Sequence, residues 1–204
     1  MIGPADAAAH ADCIARGGVA VFPADTVYGL ACAPDDPAAL ERLYALKGRA
    51  GKKPSAVMWF DRDRALAALP EVGTRTRGVL ERLLPGGVTV LLPNPRRRFG
   101  PACGAEPLTL GIRVPALDAP LAGLAAMPLP VLQSSANASG APDACALEDV
   151  PPSIRAGADL VLDGGARPGI ASTVVDLRQF EDTGDWVIVR EGAMPLDALA
   201  GAVR

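Results

Sequence analysis

Val131-Leu132-Gln133-Ser134-Ser135-Ala136-Asn137-Ala138-Ser139-Gly140 is the stretch on which the reading of this chain turns. A short apolar run bounded by turn-forming residues reads as a buried strand. The small polar residues that follow it bring hydroxyls, an amide and closely spaced backbone N–H groups together, which makes a natural nest for an anion. An ordinary Ser/Asn turn would account for the same residues. A strand that runs straight into such a loop suits an α/β sheet, where ligands bind at strand ends.

Working outward, the neighbouring segments read the same way. Leu108–Val114 is a strand closing on Arg113-Val114-Pro115, and Val88–Leu92 is a strand after the break Pro85-Gly86-Gly87. Between them, 94–107 is rich in Pro, Gly and Arg and reads as a long loop. Ala56–Phe60 is a further strand, with helical stretches near 62–69 and 74–84. Asp36-Pro37 opens a helix with an N-cap and a proline at the first helical position. That helix carries Leu40, Leu43, Tyr44 and Leu46 and ends near Lys47-Gly48-Arg49. Val19–Phe22 is a short strand, Asp25–Gly29 a polar loop, and 5–16 an Ala-rich helix stopped by Gly17-Gly18. Asp118-Ala119-Pro120 starts a short helix. Strands near 159–162, 171–177 and 186–190 and a helix near 195–202 complete the chain. Helices and strands mix with no repeat or linker, so 1–204 is expected to be one α/β domain with a mixed sheet.

The composition supplies a core and excludes several classes. Hydrophobic residues make up 50% of the 204 residues and aromatic ones 4%, so small aliphatic groups must fill the interior. A net charge of −3 argues against nucleic acid as the main partner. Cys13, Cys32, Cys103 and Cys145 include no C-x-x-C pair, and His10 is the single histidine, so structural zinc has little support. Free thiols in a reducing compartment are the plainer reading. With no leader-like start and no apolar stretch near the ~20 residues that span a bilayer, the chain is expected in the cytoplasm and away from membranes. His10 is expected on an exposed helix face. With one histidine, a Ser-His-Asp or Cys-His mechanism is disfavoured, and no phosphate-loop, dinucleotide-fold, zinc-protease or nucleophile-elbow motif occurs.

The candidate site residues are cations and hydroxyls at element ends. Lys47-Gly48-Arg49 places two cations around a glycine that lets the backbone approach a ligand. A helix C-terminus neutralised by cations explains it as well. Arg113 and Arg190 each end an apolar strand, where a charge must lie at the rim or be paired. Thr26 and Thr173 follow the same logic more weakly.

Taken in order, these blocks resemble the YrdC-like family, the threonylcarbamoyl-AMP synthases. The resemblance rests on Pro23-Ala24-Asp25-Thr26-Val27-Tyr28-Gly29-Leu30, Lys47-Gly48-Arg49 with Lys53-Pro54, and Leu84-Pro85-Gly86-Gly87-Val88-Thr89. It continues through Gly111-Ile112-Arg113-Val114-Pro115, Ser135-Ala136-Asn137-Ala138-Ser139-Gly140 and Asp163-Gly164-Gly165. Ser172-Thr173-Val174-Val175-Asp176 and Val189-Arg190-Glu191-Gly192-Ala193 close it. Departures are Ala24 where the family usually has Thr, Met58 where a His often aligns, Ser134 for Pro, and Gly87-Val88 for Pro-Leu. The first two lie near the expected threonine site. The chain is expected to lack the extra C-terminal domain of the longer members.

The resemblance implies a twisted mixed β-sheet with flanking helices around one large cleft. It implies an ATP-dependent nucleotidyltransferase, a threonylcarbamoyl-AMP synthase. L-threonine, bicarbonate and ATP, with Mg²⁺ carried on the nucleotide, would give threonylcarbamoyl-adenylate and pyrophosphate. A downstream transferase would use that product to make the N6-threonylcarbamoyladenosine of tRNA, and weak tRNA binding is allowed. No protein nucleophile and no protein-held metal are expected. The family's K-x-R and S-x-N signature falls on Lys47, Arg49, Ser135 and Asn137, which with Arg190 are expected to bind ATP. Thr26, Tyr28, Arg113 and Thr173 are expected around threonine. Two other readings stay open: an RNA-binding module, for which Arg96-Arg97-Arg98 would speak, and a carbamoyl-adenylate-forming domain with a different acceptor.

Overall fold

The computed structural model describes residues 1–48 and 53–204. Among them, nine strands form one mixed sheet: β1 (Ala20–Pro23), β2 (Tyr28–Cys32), β3 (Ala56–Met58), β4 (Val88–Pro93), β5 (Thr109–Arg113), β6 (Val131–Ser135), β7 (Leu160–Val161), β8 (Thr173–Asp176) and β9 (Val187–Arg190). Their order is β7-β1-β2-β6-β3-β5-β4-β8-β9. The helices are α1 (Pro4–Ala15), α2 (Pro37–Leu46), α3 (Arg62–Ala68), α4 (Thr74–Leu83), α5 (Gly100–Cys103), α6 (Pro152–Gly157), α7 (Phe180–Thr183) and α8 (Leu196–Val203). A 3-10 segment spans Ala119–Ala126.

Local chemistry sets the element ends. The Asp36 carboxylate accepts from the Ala38 and Ala39 amides at 2.9 and 3.1 Å, satisfying two orphan donors at the start of α2. Gly48, with φ +58°, takes the left-handed step that ends it.

The two faces of the sheet are covered unequally. Because side chains alternate along a strand, Tyr28, Leu30, Val57, Ile112 and Leu132 share one face, and they belong to the larger core cluster with Leu43, Leu80 and Leu83 of α2 and α4. On the other face, Ala20, Phe22, Met58 and Val131 pack with Ile14 of α1 and Leu121 and Leu124 of the 3-10 segment. This second cover reaches only part of the sheet, and the uncovered part is where the site lies.

Three expectations change. The stretch 25–29 is not all loop: Tyr28 and Gly29 open β2, which pairs antiparallel with both β1 and β6. The segment 94–107 holds the short helix α5, tied down by Asn94, whose amide donates to Arg98 O at 2.9 Å and Pro107 O at 3.1 Å. His10 is not on an exposed face. It is fully buried with Ala7, Cys13 and Ile14 on the stripe of α1 that meets the sheet, 5.1 Å from the Phe22 ring and 6.0 Å from Phe60. An alanine-rich helix shows little sidedness, so the sequence pattern does not reveal which stripe turns inward. Burial lowers the His10 pKa to about 4, and neither ring nitrogen has a hydrogen-bond partner. The four cysteines are free thiols; burial pushes Cys32 up to about 12. Among the described residues, no helix is long and apolar enough to cross a membrane.

Candidate functional site

The uncovered sheet face forms the floor of a cavity of about 430 Å³. Strand alternation decides which residues reach it. On β5, Leu110 and Ile112 enter the larger core while Thr109, Gly111 and Arg113 face the cavity. Thr89 and Leu91 of β4, Gln133 and Ser135 of β6, and Val174 of β8 join them. A side chain at Gly111 would meet only ordinary contacts, at 3.5–3.7 Å, so the glycine leaves open volume in the middle of the floor.

One pole of the cavity is built on Arg113. Its guanidinium is 2% exposed and donates to Asp25 Oδ1 at 2.5 Å and to Thr26 Oγ1 at 2.8 Å. Asp25 is held in turn by the Ala116 amide, which donates to Oδ2 at 3.0 Å. Burial pushes the Asp25 carboxyl up and the Arg113 guanidinium down, and each partner's charge opposes the other's shift. A guanidinium stays charged in proteins, so the pair is ionic, with Arg113 Nε buried and without a partner. Such a group is suited to the planar, two-point recognition of a carboxylate.

A second pole is the loop after β6. Lys47, at the end of α2 and 5% exposed, aims its ammonium at this loop from beneath. It donates to Ser135 O, to Asn137 O at 2.9 Å and to Asn137 Oδ1 at 3.0 Å. The Ser135 hydroxyl donates to Asn137 Oδ1 at 2.6 Å, and the Asn137 amide donates to Ala141 O. The Ser139 amide returns to Lys47 O at 2.9 Å. A buried cation thus staples the loop and puts positive charge behind it. Asn137 lines an adjoining depression of about 410 Å³, and Asp143 borders both spaces.

The third group is at the sheet edge. Arg190 donates to Ser172 O from Nη2 at 2.7 Å and from Nε at 3.2 Å, and Ser172 Oγ lies 2.8 Å from Thr89 Oγ1. Register connects this edge to the first pole. Thr89 pairs with Val174 and Val174 with Arg190, and the β4–β5 register carries Thr89 opposite Arg113. Three strand spacings put Arg113 and Arg190 about 14 Å apart at Cα, and the two long side chains line the same cavity, where the Arg190 charge adds to burial in lowering the Arg113 pKa.

Of the expected site residues, Thr26, Arg113, Ser135 and Arg190 line the cavity, Asn137 lines the adjoining depression, and Lys47 underlies the loop between them. Arg49 lies outside the described residues. Tyr28 and Thr173 do not line the cavity. Tyr28 is on the opposite face with Leu30, where its hydroxyl donates to Asp163 Oδ1 at 2.9 Å and accepts from the Gly164 amide at 3.2 Å. Burial first, and then the Asp163 hydrogen bond, push the phenol up to about 12. The Thr173 hydroxyl donates to Met194 O at 2.8 Å and accepts from the Met194 amide at 3.1 Å, tying down the segment after β9. Asp25, Thr89, Gln133 and Ser172 were not foreseen. Asp25 was in view in its polar loop, but nothing local announces a partner 88 residues away. Among the described residues, no cluster of three or more His, Cys, Asp or Glu side chains could hold a metal ion.

Comparison with known proteins places this geometry. The model of the Sua5/YciO/YrdC family, described as telomere recombination, matches residues 12–192. The threonylcarbamoyl-AMP synthase of Pyrococcus abyssi is 29% identical over 191 residues, which cover 91% of this chain and 54% of that protein. The threonylcarbamoyl-AMP synthase of Chromohalobacter salexigens is 37% identical over 171 residues, covering 81% of this chain and 89% of that protein. The crystal structure of P. abyssi Sua5 complexed with L-threonine superposes with a TM-score of 0.83 at 26% identity, covering 99% of this chain and 58% of that one. The chain therefore spans a little more than half the length of the archaeal protein and most of the shorter bacterial one.

Proposed function

Since the chain belongs to the Sua5/YciO/YrdC family, we propose that it is an ATP-dependent threonylcarbamoyl-AMP synthase, a nucleotidyltransferase. The observation that carries this reading is the joining of a buried, carboxylate-ready guanidinium and an anion loop stapled by a buried ammonium on one open sheet face.

The chemistry needs positioning and charge more than a protein base. The amine of threonine adds to the carbon of bicarbonate, forming the N–C bond and releasing water. A carbamate oxygen then attacks the α-phosphorus of ATP; the new P–O bond forms as the bond to the β-phosphate oxygen breaks, and pyrophosphate leaves. In this reading Arg113, fixed by Asp25 and Thr26, holds the threonine carboxylate. Ser135 and Asn137 present the stapled loop to the phosphates, with Lys47 supplying charge from beneath; Arg49, of the same K-x-R signature, is assigned to ATP from the sequence alone. Arg190 holds the nucleotide at the far edge. Tyr28 and Thr173 act on this site only by fixing the strands that carry it. Magnesium would enter with the triphosphate, where it keeps waters and phosphate oxygens as ligands. The product suits a transferase that passes the threonylcarbamoyl group to the N6 amine of an adenosine in tRNA, and the cytoplasm is the compartment that fits.

The test is pyrophosphate release by the purified chain with MgATP, L-threonine and bicarbonate. The expected result is release that requires all three, with threonylcarbamoyl-adenylate detected by mass. Release that ignores threonine, or that needs carbamoyl phosphate in place of threonine and bicarbonate, would overturn the proposal.

A further inference from the structure

Gln133 has no structural task that accounts for it. It stands in the middle of β6, an interior strand of the sheet between β2 and β3, where an apolar residue would be ordinary. It is 9% exposed, lines the cavity, and its carboxamide makes no hydrogen bond with any described residue. Leaving a mostly buried amide unpaired costs free energy. The fold also makes room for it: a Cβ on Gly29 would lie 2.9 Å from Gln133 Nε2 and 3.1 Å from the Phe22 ring, so β2 carries no side chain where the amide rests.

The position of that amide relates it to both poles. Gly29 pairs with Ser135 across β2 and β6, and it follows Thr26, the partner of Arg113, by three residues. Along β6, Gln133 and Ser135 are on the same face. Across the sheet, Gln133 pairs with Ala56, whose parallel neighbour on β5 by register is Gly111. The amide therefore stands between the Arg113 cluster and the Ser135–Asn137 loop, over a floor cleared by Ala56 and Gly111.

We propose that Gln133 binds the small carboxyl group derived from bicarbonate, holding it between the acceptor amine and the α-phosphate. This rests on the synthase reading above. An anchored carboxylate at Arg113 and an anchored triphosphate at the loop leave one ligand fragment between them, and that fragment is planar and rich in oxygen. A neutral carboxamide suits it: Nε2–H donates to a carboxyl oxygen, and Oε1 accepts from the N–H or O–H that flanks it. A cation here would compete for the phosphates, and a carboxylate would repel the group.

The experiment measures initial rates of pyrophosphate release against bicarbonate, at saturating MgATP and threonine in buffer freed of carbon dioxide, for the native chain, Gln133→Met and Gln133→Glu. Gln133→Met is expected to raise the KM for bicarbonate about tenfold or more, the worth of a hydrogen bond to a charged group, while the KM values for threonine and ATP stay within about twofold. Gln133→Glu should be weaker still. An unchanged bicarbonate curve overturns the inference. So does a shift confined to the threonine KM, which would make the amide a reader of the amino-acid side chain, and so does a parallel loss in every parameter, which would make its role structural. Gln133→Asn, which keeps both polar groups, should recover part of the bicarbonate affinity; failure of that recovery counts against the assignment. If the native chain shows no threonine-dependent release at all, the synthase reading itself falls. An active native chain with indifferent variants removes the Gln133 assignment alone.

Discussion

Replacing His10 by Leu should stabilise the protein, and by more in acid than near neutrality. The imidazole is fully buried between the Phe22 and Phe60 rings, with both nitrogens unpaired. Removing two unsatisfied polar atoms at similar volume should contribute about 1–3 kcal/mol at neutral pH. The pH-dependent part follows from linkage. In the unfolded chain the ring takes up its proton near 6.5, whereas in the folded chain burial delays this to about 4. Between those values the unfolded state binds the extra proton, so native stability is intact above about 6.5 and declines as pH falls towards about 4. From about pH 7.5 to about pH 5 the loss covers about 1.5 pH units at 1.36 kcal/mol each, or about 2 kcal/mol. Urea unfolding followed by circular dichroism at both pH values measures it, and taking the difference between variant and parent removes the contribution of carboxylates common to both. The stability gap should widen by about 2 kcal/mol at the lower pH with an unchanged denaturant slope. A gap of the same size at both pH values would refute the buried, neutral imidazole, and a gap that closes in acid would show the ring protonated and paired in the fold. With one histidine in the chain, no second imidazole confuses the result.

Three further outcomes test the site. Arg113→Ala leaves the Asp25 carboxylate buried without its counter-charge and should cost about 3–5 kcal/mol, while Asp25→Ala combined with Arg113→Ala should recover part of that in thermal unfolding; both variants should raise the threonine KM. Tyr28→Phe should cost about 1–2 kcal/mol through the lost bonds at Asp163 and Gly164 yet leave the threonine KM unchanged, and a raised KM would return Tyr28 to the substrate site. Lys47→Met removes the staple from Ser135 and Asn137 and should weaken MgATP about tenfold or more in the pyrophosphate assay, with threonine affinity much less affected.

What was legible in the sequence was local. The helix beginning at Asp36-Pro37 is capped by the aspartate, and the apolar runs at 88–92 and 131–133 are strands. The ordered blocks pointed to the family, because each block alone is an ordinary turn or strand end while the set in this order is specific. Less legible were elements whose patterns are weak. β2 starts inside a polar motif, α5 sits in a Pro- and Gly-rich stretch, and α1 is too rich in alanine to announce its buried stripe. Thr173 follows Ser172 by one residue, and a one-residue step turns a side chain to the other face of a strand; Tyr28 opens β2, whereas Thr26 lies in the turn before it, where strand alternation does not apply.

By itself the sequence determined that this is an α/β chain with cationic and hydroxyl-bearing turns at element ends, since periodicity, caps and turn residues act over a few positions. Only the tertiary structure decided that Asp25 neutralises Arg113, that Lys47 lies beneath Ser135 and Asn137, and that Gln133 is left unpaired on an open floor. Each depends on β6 being seated between β2 and β3, and β5 between β3 and β4. That order comes from burying the two faces of the sheet against α1, α2 and α4, a balance of apolar area across the whole chain that no short stretch contains.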